Sequence, residues 1–252
     1  RLYVRNEIRL IRLNRIDKLI FAWMLAGALI FVLQWLEMSA IINRCGYLFD
    51  GLGLYWLFRQ AIRNWHDVVE IFFCFGLLAI VSAPLILLER ISQSSPYSFM
   101  GHIPARFYQG RFRCSGPFPH FIMMGLFWAS LLPWFYGCIR ANLSRIFYCI
   151  SSVAALLCTV LSASSTPLLT VCFIGLFLLI YRFRRYGKQM TLGTIAILIS
   201  LHLSMNNPVW HLMARANVFS GSTGWHRFHL FDEFVNRVPE WFLLGTQSTA
   251  HW

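Results

Sequence analysis

Apolar residues in this chain fall in long, nearly unbroken runs separated by short basic or polar stretches. Elements with one wet face would instead show apolar positions alternating or recurring every 3.6 residues. Seven runs can be drawn: Leu19 to Ile42, Tyr47 to Phe58, Val68 to Leu88, Phe121 to Ile139, Ile146 to Leu161, Leu168 to Tyr181 and Thr191 to Met205. A helix crossing a bilayer needs about 20 predominantly apolar residues. The pattern therefore predicts an all-α, polytopic helical membrane protein with about seven transmembrane segments. The second, sixth and seventh runs are short for that task and need neighbours to shelter their ends.

The polar intervals set an orientation. Arg1, Arg5, Arg9, Arg12, Arg15 and Lys18 precede or open the first run; Arg59 with Arg63, Arg140 with Arg145, and Arg182, Arg184, Arg185 and Lys188 mark every second interval after it. Positive residues favour the cytoplasmic side, and these four clusters alternate correctly if all are cytoplasmic. The outer side then receives Arg44 to Gly46, a loop from about residue 90 to 120, the Ser162 to Pro167 turn, and everything after Met205. Residues 1–205 read as the transmembrane bundle and 206–252 as the start of an outer loop. In that tail Ser222 or Thr223 can cap an amphipathic helix, with Trp225, Phe228, Phe231, Val235 and Val238 on its apolar face and Pro239 stopping it.

Composition agrees. The chain is 58% hydrophobic and 13% charged, with a mean hydropathy of +0.57, too apolar for a soluble domain. Its net charge of +12 would suggest nucleic acid in a soluble protein. Here much of it flanks apolar runs, where it orients the chain and meets membrane lipids, so no nucleic-acid partner is expected. The basic start lacks a small-residue cleavage site, and the sequence reads as a piece of a longer protein. The seven cysteines include no CxxC pair. Cys45 and Cys114 both fall on the outer side, as a disulfide or as two free thiols.

The outer loop is where chemistry concentrates. Arg106, Arg111 and Arg113 are spaced by aromatic and small residues on the side that usually carries few arginines, so they call for an anionic partner. Arg227 shares a helical stripe with Phe231, Phe234 and Val238, which turns its guanidinium toward the packed side. That placement suits a second anion contact, or else an ion pair with Asp232 or Glu240. Ser164 and Ser165 in the Ser162–Pro167 turn can offer hydroxyls and amides to phosphate, or simply make a tight turn. His120 and His102 flank the arginine loop and can accept protons there or act as structural hydrogen bonders. His226 and His229 have a weak metal-ligand spacing, and no metal or other cofactor is expected. Asp50, Asp67, Glu70 and Glu89 sit at segment ends and read as interfacial anchors.

Three stretches, in order, resemble the O-antigen ligase and O-antigen polymerase superfamily of bacterial polysaccharide assembly. Arg113 to His120 is similar to the family's Arg-x-x-Gly-x-Phe-x-Pro-Asn lead into a membrane helix, with His120 in the asparagine position. Ser162 to Thr166 is similar to its Ser-x-Ser-Arg-Thr turn, with Ser165 replacing the arginine. Gly224 to Gly245, with Arg227 and Pro239, is similar to the segment where an arginine opens a helix that closes on Pro-x-x-x-Gly. The resemblance implies a metal-independent glycosyltransferase in the bacterial inner membrane, working at the periplasmic face. It would move a glycan from an undecaprenyl-diphosphate donor to a saccharide or lipid A core acceptor. Arg113 and Arg227 would hold the diphosphate, supported by Arg111, Arg106, Ser164, Ser165 and His120. The family's histidine base lies well beyond the position of Gly245; His251 is too close to that glycine to match it, so the base is expected outside this fragment, with His251 the late alternative. A flippase or transporter of lipid-linked saccharides, and a non-catalytic membrane component of a polysaccharide assembly complex, are the alternatives.

Overall fold

The computed structural model describes residues 13–98, 106–108, 110–215 and 223–251. The basic start through Arg12, His102, Ser222 and the side chains of Arg106 and Arg111 lie outside the described residues. The protein is mostly helical. Four helical stretches are long and apolar enough to cross a membrane by length and composition: Arg15–Trp35, Trp65–Ser92, Phe121–Arg140 and Ser165–Ser204. The chain divides into two compact units, Arg1–Val68 with Arg227–Trp252, and Val69–His226.

In the first unit α1 (Arg15–Trp35) and α2 (Met38–Ala61) form a hairpin. Asn14 and Asp17 build a reciprocal capping box at the start of α1, each side chain accepting from the other's backbone N–H. Leu36 ends α1 in the left-handed conformation, with φ 49°. The turn therefore falls at Leu36–Glu37, not at Arg44–Gly46 as the sequence suggested. Asn43 to Gly46 contains no proline, and a helix held by tertiary packing absorbs the one glycine. At the open end of the hairpin Asp17, 1% exposed, accepts from the Tyr55 hydroxyl and from Arg59 Nη2 at 3.2 Å. The tail contributes α9 (Thr223–Asn236) and α10 (Val238–Trp241). α9 stops before Val238, and Pro239 opens the next turn, where its missing N–H costs little. Beyond it, the Gln34 side chain donates to the Leu244 carbonyl, and the Gln247 amide donates back to the Gln34 carbonyl.

The second unit packs α3 (Trp65–Ser92), α4 (Phe121–Arg140), α5 (Arg145–Leu161) and α6 (Ser165–Ile180). On α4 the buried face is Met124, Gly125, Trp128, Leu131, Phe135 and Cys138; on α5 it is Tyr148, Ser151, Ala155, Cys158 and Thr159. These spacings trace one helical stripe on each. α3 reaches them through Phe72 stacked on Trp134 and Phe73 stacked on Phe147, each with centroids 4.5 Å apart. Gly125 permits the closest approach: a Cβ there would lie 2.5 Å from Pro167 Cγ and 2.6 Å from Ser162 Oγ. Small residues at such crossings let apolar helices come together without a hydrophobic driving force. The α5 hydroxyls satisfy themselves, Ser151 on Phe147 O at 2.9 Å and Thr159 on Ala155 O at 2.9 Å.

Beyond α6 a 3-10 stretch over Tyr181–Tyr186 runs directly into α7 (Gly187–Ser204). The basic interval expected as a loop between the sixth and seventh apolar runs is therefore itself helical, and the two runs form one stretch of 40 residues. A single-turn α8 (Leu212–Arg215) follows.

Candidate functional site

The arginine loop is folded at its base by a buried carboxylate. Residues Arg106–Tyr108 (β1) and Arg111–Arg113 (β2) pair antiparallel, with Arg106 opposite Arg113 and Phe107 opposite Phe112. Gly110 takes φ +71° in the connecting turn, a conformation that suits glycine. Glu89, in the last turn of α3 and 0% exposed, accepts from Ser115 N at 3.2 Å and Gly116 N at 3.0 Å. Its neighbour Arg90 donates to the Phe112 carbonyl. Cys114 N reaches Leu161 O at 3.4 Å. Strand β2 and its exit are thereby tied to the ends of both α3 and α5.

Gly116 explains itself within this arrangement. Its φ is +54°, and a Cβ there would lie 3.1 Å from Met124 Sδ and 3.2 Å from the Ile86 side chain. Cys114, buried beside Glu89, has its thiol pKa pushed up to about 12, first by desolvation and then by the nearby carboxylate. It and Cys45 are both free thiols, so the disulfide option falls away.

Above this base, Arg113 projects its guanidinium over the Phe121 ring, 4.7 Å from the centroid. His120 packs on the same residue with ring centroids 4.1 Å apart. Its Nδ1 accepts from Ile122 N at 3.2 Å, capping α4. That bond places the proton of the neutral ring on Nε2. Phe121 is therefore a platform for a cation and an imidazole at the start of an apolar helix, a role nothing in the sequence reading gave it.

The Ser162–Pro167 turn closes the same unit between α5 and α6. Ser162, fully buried, donates to Thr159 O at 2.7 Å, and Ala163 adopts φ 47°. Ser164 is 4% exposed and packed inward, whereas Ser165, the first residue of α6, is half-buried. Of the two serines expected to meet phosphate, Ser165 is the more reachable.

Arg227 lies on α9 and is exposed, as are Phe231 and Phe234 of the stripe it shares. Phe234 of that stripe stacks on Trp241 with ring centroids 3.9 Å apart, and Trp241 Nε1 donates to the Phe234 carbonyl at 2.8 Å. His251 Nε2 is 2.9 Å from Glu240 Oε2, and Arg237 meets both Glu233 at 2.8 Å and Glu240 at 3.1 Å. Those two carboxylates hold the Arg237 guanidinium still more firmly protonated than usual. The acidic residues read as interfacial anchors divide in the structure. Glu89 is an internal organiser, Asp67 caps the start of α3 by accepting from Arg63 N at 2.7 Å and Asn64 N at 2.9 Å, and Asp50 is exposed. The signal for Glu89 was present in Glu89-Arg90 closing an apolar run and Gly116-Pro117 opening the next, but the pairing between them is not local.

No protein family, curated protein or solved structure matches this chain.

Proposed function

We propose that this chain is a membrane glycosyltransferase of the O-antigen ligase and polymerase kind, and that Arg113 binds the diphosphate of a lipid-linked glycan donor. The reading rests on one observation above the sequence resemblance. Glu89 gathers the Ser115 and Gly116 amides, and the strand they anchor presents the Arg113 guanidinium over Phe121 at the start of an apolar helix. A planar guanidinium there is suited to bidentate contact with phosphate oxygens at the membrane surface.

In the proposed reaction the acceptor hydroxyl attacks the anomeric carbon, its proton passes to a base, and the bond to the lipid diphosphate breaks. Arg113 and Arg227 stabilise the charge that develops on the leaving diphosphate. Arg111, Arg106 and Ser165 add to its binding, and Ser164 shapes the turn. His120 adds to diphosphate binding, and His251, 2.9 Å from Glu240, is the one base candidate in the late sequence, the family's own base lying farther along. The bacterial inner membrane, the periplasmic face and seven crossings belong to the same proposal. Against the transport reading, the buried carboxylates among the described residues lie near helix ends rather than deep in a span, where a translocation path would place charge.

The test is transfer in vitro from an undecaprenyl-diphosphate glycan by the full-length protein, comparing wild type with Arg113→Ala and Arg227→Ala. Removing a charge that acts in the transition state is expected to lower the rate about a hundredfold or more in each. Undiminished transfer by both variants would remove the two arginines from the mechanism.

A further inference from the structure

The α1–α2 hairpin holds a cavity of about 230 Å³ lined by Trp23, Met24, Gly27, Phe31, Gln34 and Arg44, with Ile30 and Tyr47 completing the wall. On α1 the positions 23, 27, 30, 31 and 34 recur at three- and four-residue steps, so they form one face. The lining is apolar from Trp23 to Phe31 and becomes polar at Gln34 and Arg44, close to the Leu36–Glu37 turn. Gly27 leaves the wall open, since a Cβ there would meet nothing within 4 Å. Gln34 is fixed at the polar end by its bonds to Leu244 and Gln247.

Arg44 is the unusual member. Its guanidinium lies on the face of Phe31, 3.6 Å from the centroid, and 5.4 Å from that of Tyr47. Its Nε is buried and meets no hydrogen-bond acceptor among the described residues. A buried guanidinium N–H without an acceptor is costly, and ring faces offset only part of that. What the set lacks is an anion. α1 is apolar enough to cross a membrane, and Trp23, at the apolar end of the cavity, is 74% exposed. An anion arriving there with its own apolar chain would match the gradient from end to end.

We infer that this groove seats an anionic phospholipid, its phosphate against Arg44 and one chain along Ile30, Gly27 and Trp23. The site shares no residue with the arginine loop and does not depend on the transferase reading.

The test uses the full chain in nanodiscs of equal phosphatidylglycerol and phosphatidylcholine, with retained lipid counted by native mass spectrometry. Wild type is expected to retain phosphatidylglycerol preferentially. Arg44→Gln should lower that preference about tenfold, the loss expected when a charged hydrogen bond becomes a neutral one. Gly27→Leu, which fills the floor of the groove, should abolish retention. Gly53→Leu, at an α2 position outside the lining that also has nothing within 4 Å of a Cβ, should keep it. Equal retention by wild type and Gly27→Leu would overturn the inference even if Arg44→Gln fails to fold. Displacement of phosphatidylglycerol by stoichiometric farnesyl diphosphate would overturn the phospholipid assignment in favour of an isoprenoid diphosphate.

Discussion

Among the described residues two carboxylates are buried, one in each compact unit, and they are satisfied differently. Asp17 meets side chains, the Tyr55 hydroxyl and the Arg59 guanidinium, as well as the backbone N–H of Asn14. Glu89 meets the backbone N–H groups of Ser115 and Gly116. The first arrangement pins helix to helix, and side-chain partners that can turn to solvent soften the loss of either. The second fixes the path of a loop, because one carboxylate holds two successive backbone amides. Side-chain partners serve assembly of a hairpin; backbone partners serve presentation of whatever the loop carries, here Arg113.

The sharpest way to break the comparison is Glu89→Ala. It leaves two buried N–H groups without their acceptor, at about 1–3 kcal/mol each, and should lower the unfolding free energy of the detergent-solubilised protein accordingly. Glu89→Gln, which keeps one acceptor oxygen, should lose about half as much. A wild-type unfolding midpoint for Glu89→Ala would show that the carboxylate does not hold the loop.

Next in size is Gly125→Ala. The new Cβ meets a proline ring and a committed serine hydroxyl, and overpacking of that kind costs about 1–3 kcal/mol. The same change at Gly27, where a Cβ meets open space, should be neutral or slightly stabilising, since alanine favours a helix over glycine by roughly 0.5–1 kcal/mol. Parity between the two in thermal unfolding would mean that the α4 crossing is less tight than its geometry.

Asp17→Asn should act more weakly than Glu89→Ala, because Tyr55 can still donate to an amide oxygen and Arg59 is already one-third exposed. Hydrogen exchange should speed in the first turn of α1 and the last turn of α2 while the Ser115 and Gly116 amides stay protected. Glu89→Gln should give the reverse pattern. Shared deprotection in either variant would erase the distinction between helix pinning and loop presentation.

At neutral pH the smallest effect concerns Cys114. Its folded pKa is raised, so the stability linked to the thiol is full below the ordinary value of 9.0 and is lost as pH climbs toward about 12. Over that window unfolding should become easier in wild type and less so in Cys114→Ala. At neutral pH a maleimide should modify exposed Cys45 and spare Cys114 unless Glu89 is first replaced.

Much of the fold was legible because membrane helices announce themselves by unbroken apolar runs. α3, α4 and α5 fall on predicted segments, and α9 stops just ahead of its proline. The hairpin turn was misplaced because Arg44, Cys45 and Gly46 look like an interval, while a left-handed Leu36 carries no compositional mark. The site was only half legible. Arg113 stood out as a charge among aromatics between two apolar runs, but Glu89, Phe121 and the inward Ser164 did not. Glu89 acts through amides, which every residue but proline possesses, so its partners Ser115 and Gly116 leave no signature of the contact. Phe121 was one apolar letter among many at the start of α4.

The 40-residue helical stretch from Ser165 to Ser204 has a consequence for bookkeeping of sides. At 1.5 Å per residue it is about 60 Å long, twice the hydrocarbon thickness of a bilayer. Held straight, it crosses once and leaves half its length in water; folded at Tyr181–Tyr186, it crosses twice. Those counts differ by one, so everything after Met205 exchanges compartments between them. The proposed seven crossings need the folded arrangement, with the six 3-10 residues Tyr181–Tyr186 at the bend.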